Sequence, residues 1–388
     1  MKKWLFLSAI LALCWSWSSD DAPPPEVIFE GDIELKTPED IDNFLAGGHT
    51  VVNGSLRIID SLRVIDDLSG FSQITEVTGS LLIWYTSATD MTGFQNLTRV
   101  GGDLWFQWNE EMTSLAGLEK LTEVGLSVGL WHQTSLASIE ALSNLSSLTE
   151  AFSMLGDNQL RNLHGLENIP TDLGGVRISG NNLETLEGLP EIRSVTGDLT
   201  VTSCRSLTSI DELSKVTSVG GSLILQFLNS LVNINVFDEL TEVKGEILLI
   251  HHTGAREILT FNNLTTAPGM QISSNEFLFG IKGFQQIEEL KHLFLMGSGR
   301  LRDLTGFANL RRIENELNIS NTDMLTSLDD FSSLTSIGEL DLWYNTALTD
   351  MCALSTALSS TGGDFDASIQ FNAFNPTLEE LKAGNCRN

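Results

Sequence analysis

Hydrophobic and polar residues alternate along the chain in short bursts, and the bursts recur. Leu81 and Ile83, Leu104 and Phe106, Val128 and Leu130, Val176 and Ile178, Leu199 and Val201, and Leu223 and Leu225 each stand two residues apart. Period two marks a strand with one buried face, so each pair predicts a short strand with these side chains inward. The bursts return every 23 to 24 residues between about residue 50 and residue 358, giving about thirteen units, several of them degenerate. Thr98–Leu121, Arg193–Val216 and Thr335–Leu358 are clean examples. Each opens on a Thr/Arg-x-Val/Ile step, turns near a glycine, runs through the alternating stretch and ends in spaced apolar residues such as Leu115, Leu118 and Leu121. One unit cannot bury its inward face alone, whereas stacked units form a continuous core. The expected fold class is therefore an all-β solenoid of parallel strands. The residues between strands lack the long apolar stripe that a βαβ crossover helix would show.

Polar residues sharpen this picture. Three positions after the second inward strand residue stand Asn109, Asn181, Asn275 and Asn345, with Cys204, Asp157, Thr86 and Thr322 at the same place in other units. Small polar side chains stacked at a bend satisfy backbone groups that the turn would leave unpaired, so these residues predict a buried ladder. Cys204 then has a packing role rather than a redox one. His252 and Leu228 interrupt the ladder. The pairs Gly101-Gly102, Gly174-Gly175 and Gly220-Gly221 fall where the chain turns before a strand.

Both ends read as caps, which a solenoid needs if its terminal core is not to face water. Val27 to Leu35 alternates like a strand, and Thr37-Pro38-Glu39-Asp40 reads as a helix start, stopped by Gly47-Gly48. At the far end, Thr377 to Ala383 is a second short helix, bracketed by Cys352 and Cys386. A disulfide between these cysteines closes a loop of about 34 residues, worth roughly 3–4 kcal/mol in the loop-entropy account.

Composition adds the compartment and removes partners. With 22 basic and 51 acidic residues the formal net charge is -29, yet 41% of residues are hydrophobic. This is a folded core under a negative surface rather than acidic disorder. Such a field repels nucleic acid and anionic lipid, so neither is an expected partner. Lys2 and Lys3 precede an apolar run from Trp4 to Trp15, and Ser16, Ser18 and Ser19 follow, the pattern of a secretory signal peptide. Cys14 raises lipid anchoring, but a lipobox places a small residue directly before the cysteine, where Leu13 stands; cleavage near Ser18 is the reading adopted. The expected organisation is a signal peptide over 1–18, a Pro-rich leader over 19–26, and one repeat domain over 27–388. Within that domain 27–49 is the N-terminal cap, 50–358 the repeats and 359–388 the C-terminal cap. No transmembrane segment is expected. Five N-x-S/T sequons, at Asn53, Asn96, Asn144, Asn263 and Asn318, are candidate glycosylation sites in a eukaryotic host.

The segments Gly31 to Leu35, Thr37 to Leu45 and Thr50 to Ile58, with turns such as Val219 to Leu225, resemble the receptor L domain of the leucine-rich-repeat superfamily. The ending from Asn375-Pro376-Thr377 to Cys386 is similar to the C-terminal cap of exported bacterial repeat proteins. The resemblance implies a right-handed parallel β-helix and an exported surface protein. It implies peptide binding where such domains serve growth-factor receptors, and adhesive or structural roles in fungal walls and on bacterial surfaces. Fold alone does not carry function across that range.

Site chemistry is sparse. Five tryptophans follow the signal, four of them between residues 84 and 131. Aligning units puts Trp84, Gln107, Trp131, Leu155, Ser179 and Thr202 in one outward column, and Leu82, Trp105, Gly129, Ser153, Arg177 and Thr200 in the next. The expectation is a contiguous exposed patch of Leu82, Trp84, Trp105 and Trp131, with Tyr85 and Trp108 at the strand ends, and a mostly polar face further on. Trp108 belongs with the candidate ligand-binding residues. Exposed aromatics bury much area at low entropy cost and suit a sugar ring or a protein partner. His251-His252 is the only histidine pair and splits across two faces. Asp66-Asp67 and Asp329-Asp330 fall in turns. No phosphate loop, G-x-S-x-G elbow or H-E-x-x-H occurs. The expectation is a binding protein without cofactor, metal or catalysis, whose partner is an extracellular protein or carbohydrate. A structural envelope or matrix protein is the alternative. A polysaccharide-processing enzyme is more remote, because clustered acids do not assemble at one repeat position.

Overall fold

A computed structural model describes residues 26–156, 158–180, 182–359 and 365–388. The signal peptide, Cys14, most of the leader, and the ladder residues Asp157 and Asn181 lie outside these residues. Fifteen parallel strands form one continuous sheet, running from Ile33–Leu35 to Asp366–Gln370. Thirteen of them, from Leu56–Ile59 to Ser336–Trp343, are the repeats, and one cap strand lies at each end. The chain is an all-parallel β-solenoid of about fourteen turns, matching the expected fold class.

Each turn closes through a second, shorter strand. Two-residue strands such as Arg99–Val100 and Glu123–Val124 pair in parallel along a second side. This side breaks into sheets of six and four strands, and a two-stranded sheet, Glu257–Ile258 with Gly280–Ile281, lies at a third position of the turn. From Glu289 onward the corner between the two sides straightens. Glu289–Met296, Arg312–Ser320 and Ser336–Trp343 each run as one strand of eight or nine residues. Register shifts fall between Leu290 and His292 and between Ile313 and Glu316.

The inward pairs are buried throughout, among them Leu104, Phe106, Leu199 and Val201. A feature not anticipated from the leucine-ended units is a spine of phenylalanines inside the solenoid. Phe71 stacks on Phe94 at 4.9 Å, and Phe237, Phe261, Phe284, Phe307 and Phe331 stack successively at 5.2, 4.6, 5.7 and 6.0 Å. Leu118, Leu142, Leu166, Leu189 and Leu213 fill the equivalent position between the two stacks and are also buried. The N-terminal helix Pro38–Leu45, capped by a Thr37–Asp40 capping box, lowers Ile41 and Phe44 onto this core, with Phe44 6.0 Å from Phe71. The C-terminal helix Leu378–Lys382 has its own capping box, Thr377–Glu380, and the Cys352–Cys386 disulfide closes the end.

The polar ladder has a consistent chemistry. Asn109 accepts the Thr86 backbone N–H through Oδ1 at 2.9 Å and donates from Nδ2 to the Ile83 carbonyl at 2.7 Å, both on the preceding turn. Asn275 does the same with His252 and Leu249, and Asn345 with Thr322 and Ile319. Each asparagine thus ties two backbone groups of the turn before it. Cys204 is buried in this column and its Sγ donates to the Thr202 carbonyl at 3.3 Å.

The residue just before each ladder position is left-handed. Tyr85, Trp108, His132, Ser203, Phe227, His251, Tyr344 and Phe371 have φ between 53° and 63°, and Gly180 and Gly297 take the same place in other turns. This conformation costs an L-residue about 1–2 kcal/mol. It turns the next side chain into the core, which is what the ladder requires. The paired glycines have another reason. Gly101 and Gly220 do not have positive φ; a Cβ there would strike the Thr78 and Thr196 carbonyl oxygens of the turn below.

Candidate functional site

The strand register sets the outward columns residue by residue. Leu82, Trp105, Gly129, Ser153, Arg177 and Thr200 are successive partners, as are Trp84, Gln107, Trp131, Leu155, Ser179 and Thr202. Leu82, Trp84, Trp105 and Trp131 therefore share one face. Their exposure differs from the expectation: all four are only partly accessible. For Trp105 the cause is Gly129. A Cβ on it would lie 3.0 Å from the Trp105 ring, so the indole lies flat on the sheet over the gap this glycine leaves. Trp131 packs against it with ring centroids 4.5 Å apart. The Nε1 atoms of Trp84 and Trp105 are buried without a hydrogen-bond partner, while Trp131 Nε1 donates to Ser153 Oγ at 3.1 Å. Trp108 is not part of this patch. It sits at the left-handed bend and stacks on His132 at 3.9 Å with 6° between planes.

Beyond the tryptophans the face drops. Trp105, Trp131, Ser127, Ala151, Ser153, Gly175, Arg177 and Asp198 surround a shallow depression of about 200 Å³. Its floor exists because the residues there are small. Arg177 is exposed on the far rim, and among the described residues no carboxylate pairs with it. Thr200, next in its column, is only 7% exposed and its Oγ1 has no hydrogen-bond partner.

On the later turns apolar residues interrupt the largely polar face that the sequence predicts. Ile224, Leu248 and Ile250 point outward and are half-buried side by side, and Phe294 and Met296 do the same beyond the turn that carries Gln271 and Ser273. Two further stacked pairs, Phe227 on His251 and Tyr344 on Phe371, stand on the left-handed bend. The last turns also gather acids. Glu316, Glu339 and Asp366 are register partners, and Asp341 stands two residues from Glu339. Burial, then Glu316, Asp341 and Asp366, raise Glu339 above an ordinary carboxyl; burial, then Glu316 and Asp366, raise Asp341. The alternation pattern does not single this column out, because its residues stand directly before the first inward residue of each strand.

The histidines separate as their positions imply. His251 is exposed, whereas His252 is fully buried and bonds the Leu225 carbonyl through Nε2 at 2.9 Å. Burial holds His252 far below an ordinary histidine, at about 4. Among the described residues no three His, Cys, Asp or Glu side chains are grouped to hold a metal ion. Asp67 accepts the Ser69 N–H within its own turn, and Asp330 accepts the Leu304 N–H of the preceding turn.

The sequons also acquire a structural origin. Asn96, Asn144 and Asn263 donate from Nδ2 to the carbonyls of Ser72, Glu119 and Asp238 on the preceding turn, at 2.7 to 2.8 Å. The hydroxyls two residues on, at Thr98, Ser146 and Thr265, bond the carbonyls of Thr75, Thr122 and Thr241. Two ladders running two residues apart spell N-x-S/T at these turns. A glycan on those asparagines would occupy the nitrogen that joins consecutive turns. Asn96 and Asn318 are half-buried, Asn318 on the sheet face, whereas Asn53, Asn144 and Asn263 are exposed.

Residues 49–107 match the receptor L domain. That segment spans the first repeats and carries Leu82, Trp84 and Trp105. No curated protein matches the chain. Among the described residues no helix is long and apolar enough to cross a membrane.

Proposed function

We propose that this chain is a non-catalytic binding or adhesion protein, exported to the cell surface or beyond, that takes a protein or glycan on its outward sheet face at the early turns. The observation that carries this reading is the Trp105–Trp131 pair beside a depression rimmed by an unpaired arginine. Neighbouring aromatics bounded by polar groups are the usual make-up of a recognition surface. The basic, apolar and small-residue succession at the N-terminus supports export, and the absence of nucleophile and metal-hydrolase motifs in the sequence supports a non-catalytic role.

A scaffold reading has one observation in its favour. Trp105 lies down over Gly129, and aromatic pairs on a sheet face also serve to stabilise it. The two readings part on the double variant Trp105→Ala/Trp131→Ala. Screened against immobilised glycans and cell-surface proteins, the binding protein loses its ligand at least tenfold while its melting temperature stays within a few degrees. A scaffold loses stability and has no ligand to lose. Unchanged binding by a folded double variant overturns the reading.

A further inference from the structure

We infer that the depression between Trp131 and Arg177 is a subsite for an acidic sugar, one six-membered ring bearing a carboxylate. This rests on the reading that the early sheet face binds a ligand, and it names the class.

Size comes first. About 200 Å³ is below the roughly 300–1,000 Å³ of pockets for drug-sized molecules, so the space suits a single ring. The walls then define the chemistry. Trp105 and Trp131 offer an aromatic surface, which attracts the C–H face of a sugar and is wasted on a bare inorganic anion. Ser153 Oγ already accepts the Trp131 indole N–H, so its own hydrogen is free to donate outward. Asp198 Oδ1 accepts the Ser222 N–H at 2.8 Å, leaving the other carboxylate oxygen for a sugar hydroxyl.

Charge decides between a neutral and an acidic ring. On the two outward columns the arginines are Arg57, which pairs with Asp32 at 3.0 Å, and Arg177, which pairs with no carboxylate among the described residues. Arg193, Arg205 and Arg256 also form no ion pair among the described residues, but Arg177 alone of these lines the depression beside the aromatic wall. A guanidinium offers two parallel N–H groups to a carboxylate, the stronger and more directional form of the charge pair. The unpartnered hydroxyl of Thr200 stands next to it in the same column. The overall negative charge does not prevent this, because exposed charges are screened over about 8 Å at physiological ionic strength.

The test titrates the mature chain with glucuronate and galacturonate, and with glucose and galactose as neutral counterparts, in 0.15 M salt. Tryptophan fluorescence and the indole N–H resonances report binding. The expected result is uronate binding at least tenfold tighter than its neutral counterpart. Arg177→Gln should remove that preference, bringing the uronate affinity down to that of its neutral counterpart, while Trp131→Ala should weaken both. Arg177 is exposed, so Arg177→Gln keeps the fold, checked by an unchanged melting curve. Equal affinities, or a preference that survives Arg177→Gln, overturn the acidic subsite while leaving the sheet face as a neutral-glycan site. If no sugar perturbs the indoles, the subsite falls, and a protein partner becomes the remaining form of the face reading.

Discussion

Trp131 and Trp343 occupy the same outward column, with eight residues of that column between them, and stand in quite different company. Each donates its indole N–H to a serine on the next turn: Trp131 to Ser153 at 3.1 Å, Trp343 to Ser368 at 2.9 Å. Around Trp131 stand Trp105, small residues and the unpaired Arg177. Around Trp343 stand Asp341 and the Glu316–Glu339–Asp366 column. The backbone is the same at both places, and so is the indole hydrogen bond. What differs starts two residues earlier on the same strand, glycine at 129 and aspartate at 341, and continues on the preceding turn, with Trp105 beside the first and Asn318 beside the second. A solenoid therefore holds its core constant and writes function, where there is any, in the outward columns.

If that division is right, damage to shared parts should act alike in both regions, and damage to the face should not. The largest effect belongs to the end. Reducing Cys352–Cys386 is expected to remove roughly 3–4 kcal/mol, with loss of hydrogen-exchange protection concentrated in the late turns. Uniform loss across the chain would show that the turns do not unfold separately.

Next is the ladder. Asn109→Ala and Asn345→Ala each leave buried backbone groups on the preceding turn unpaired, and each is expected to cost about 3 kcal/mol in chemical denaturation. Similar costs at the two sites sharpen the comparison; a negligible cost at either breaks it.

Acid should act with opposite signs in different turns. The folded value of His252 lies near 4, against 6.5 ordinarily. Its neutral burial therefore contributes above pH 6.5, and roughly 3 kcal/mol of stability is lost as pH falls from there toward 4. Glu339 and Asp341 are raised, so their repulsion is absent below the ordinary carboxyl range and appears as pH rises through the folded values. Melting curves between pH 7 and pH 4 should fall less steeply for His252→Asn. Glu339→Gln/Asp341→Asn should melt slightly higher than the parent at pH 7, by under about 1 kcal/mol given solvent screening, with the gap closing at pH 4.

Much of the solenoid was legible in the sequence because its determinants are local and periodic. Leu104 and Phe106 declare an inward face by spacing alone, and Asn109 and Asn345 declare the bend. The capping boxes at Thr37 and Thr377 are equally local. The phenylalanine spine was readable too, from Phe237, Phe261, Phe284, Phe307 and Phe331 at one repeat position, but leucine fills that position over the middle turns and hides it. The site was less legible for a physical reason. The columns followed from register, but whether Trp105 stands up or lies down depends on Gly129, a residue 24 positions later and one turn away. The acid column stands directly before the first inward residue of three strands, at Glu316, Glu339 and Asp366, where the alternation pattern carries no signal.

The most direct measurement compares the twin tryptophans. Trp131→Ala and Trp343→Ala each remove an indole and its hydrogen bond to serine, so their stability costs should be close. Binding to whichever glycan or surface protein the parent captures should fall at least tenfold for Trp131→Ala and stay within twofold for Trp343→Ala. Equal losses from both variants, or a loss confined to Trp343→Ala, would contradict a site localised at the early turns.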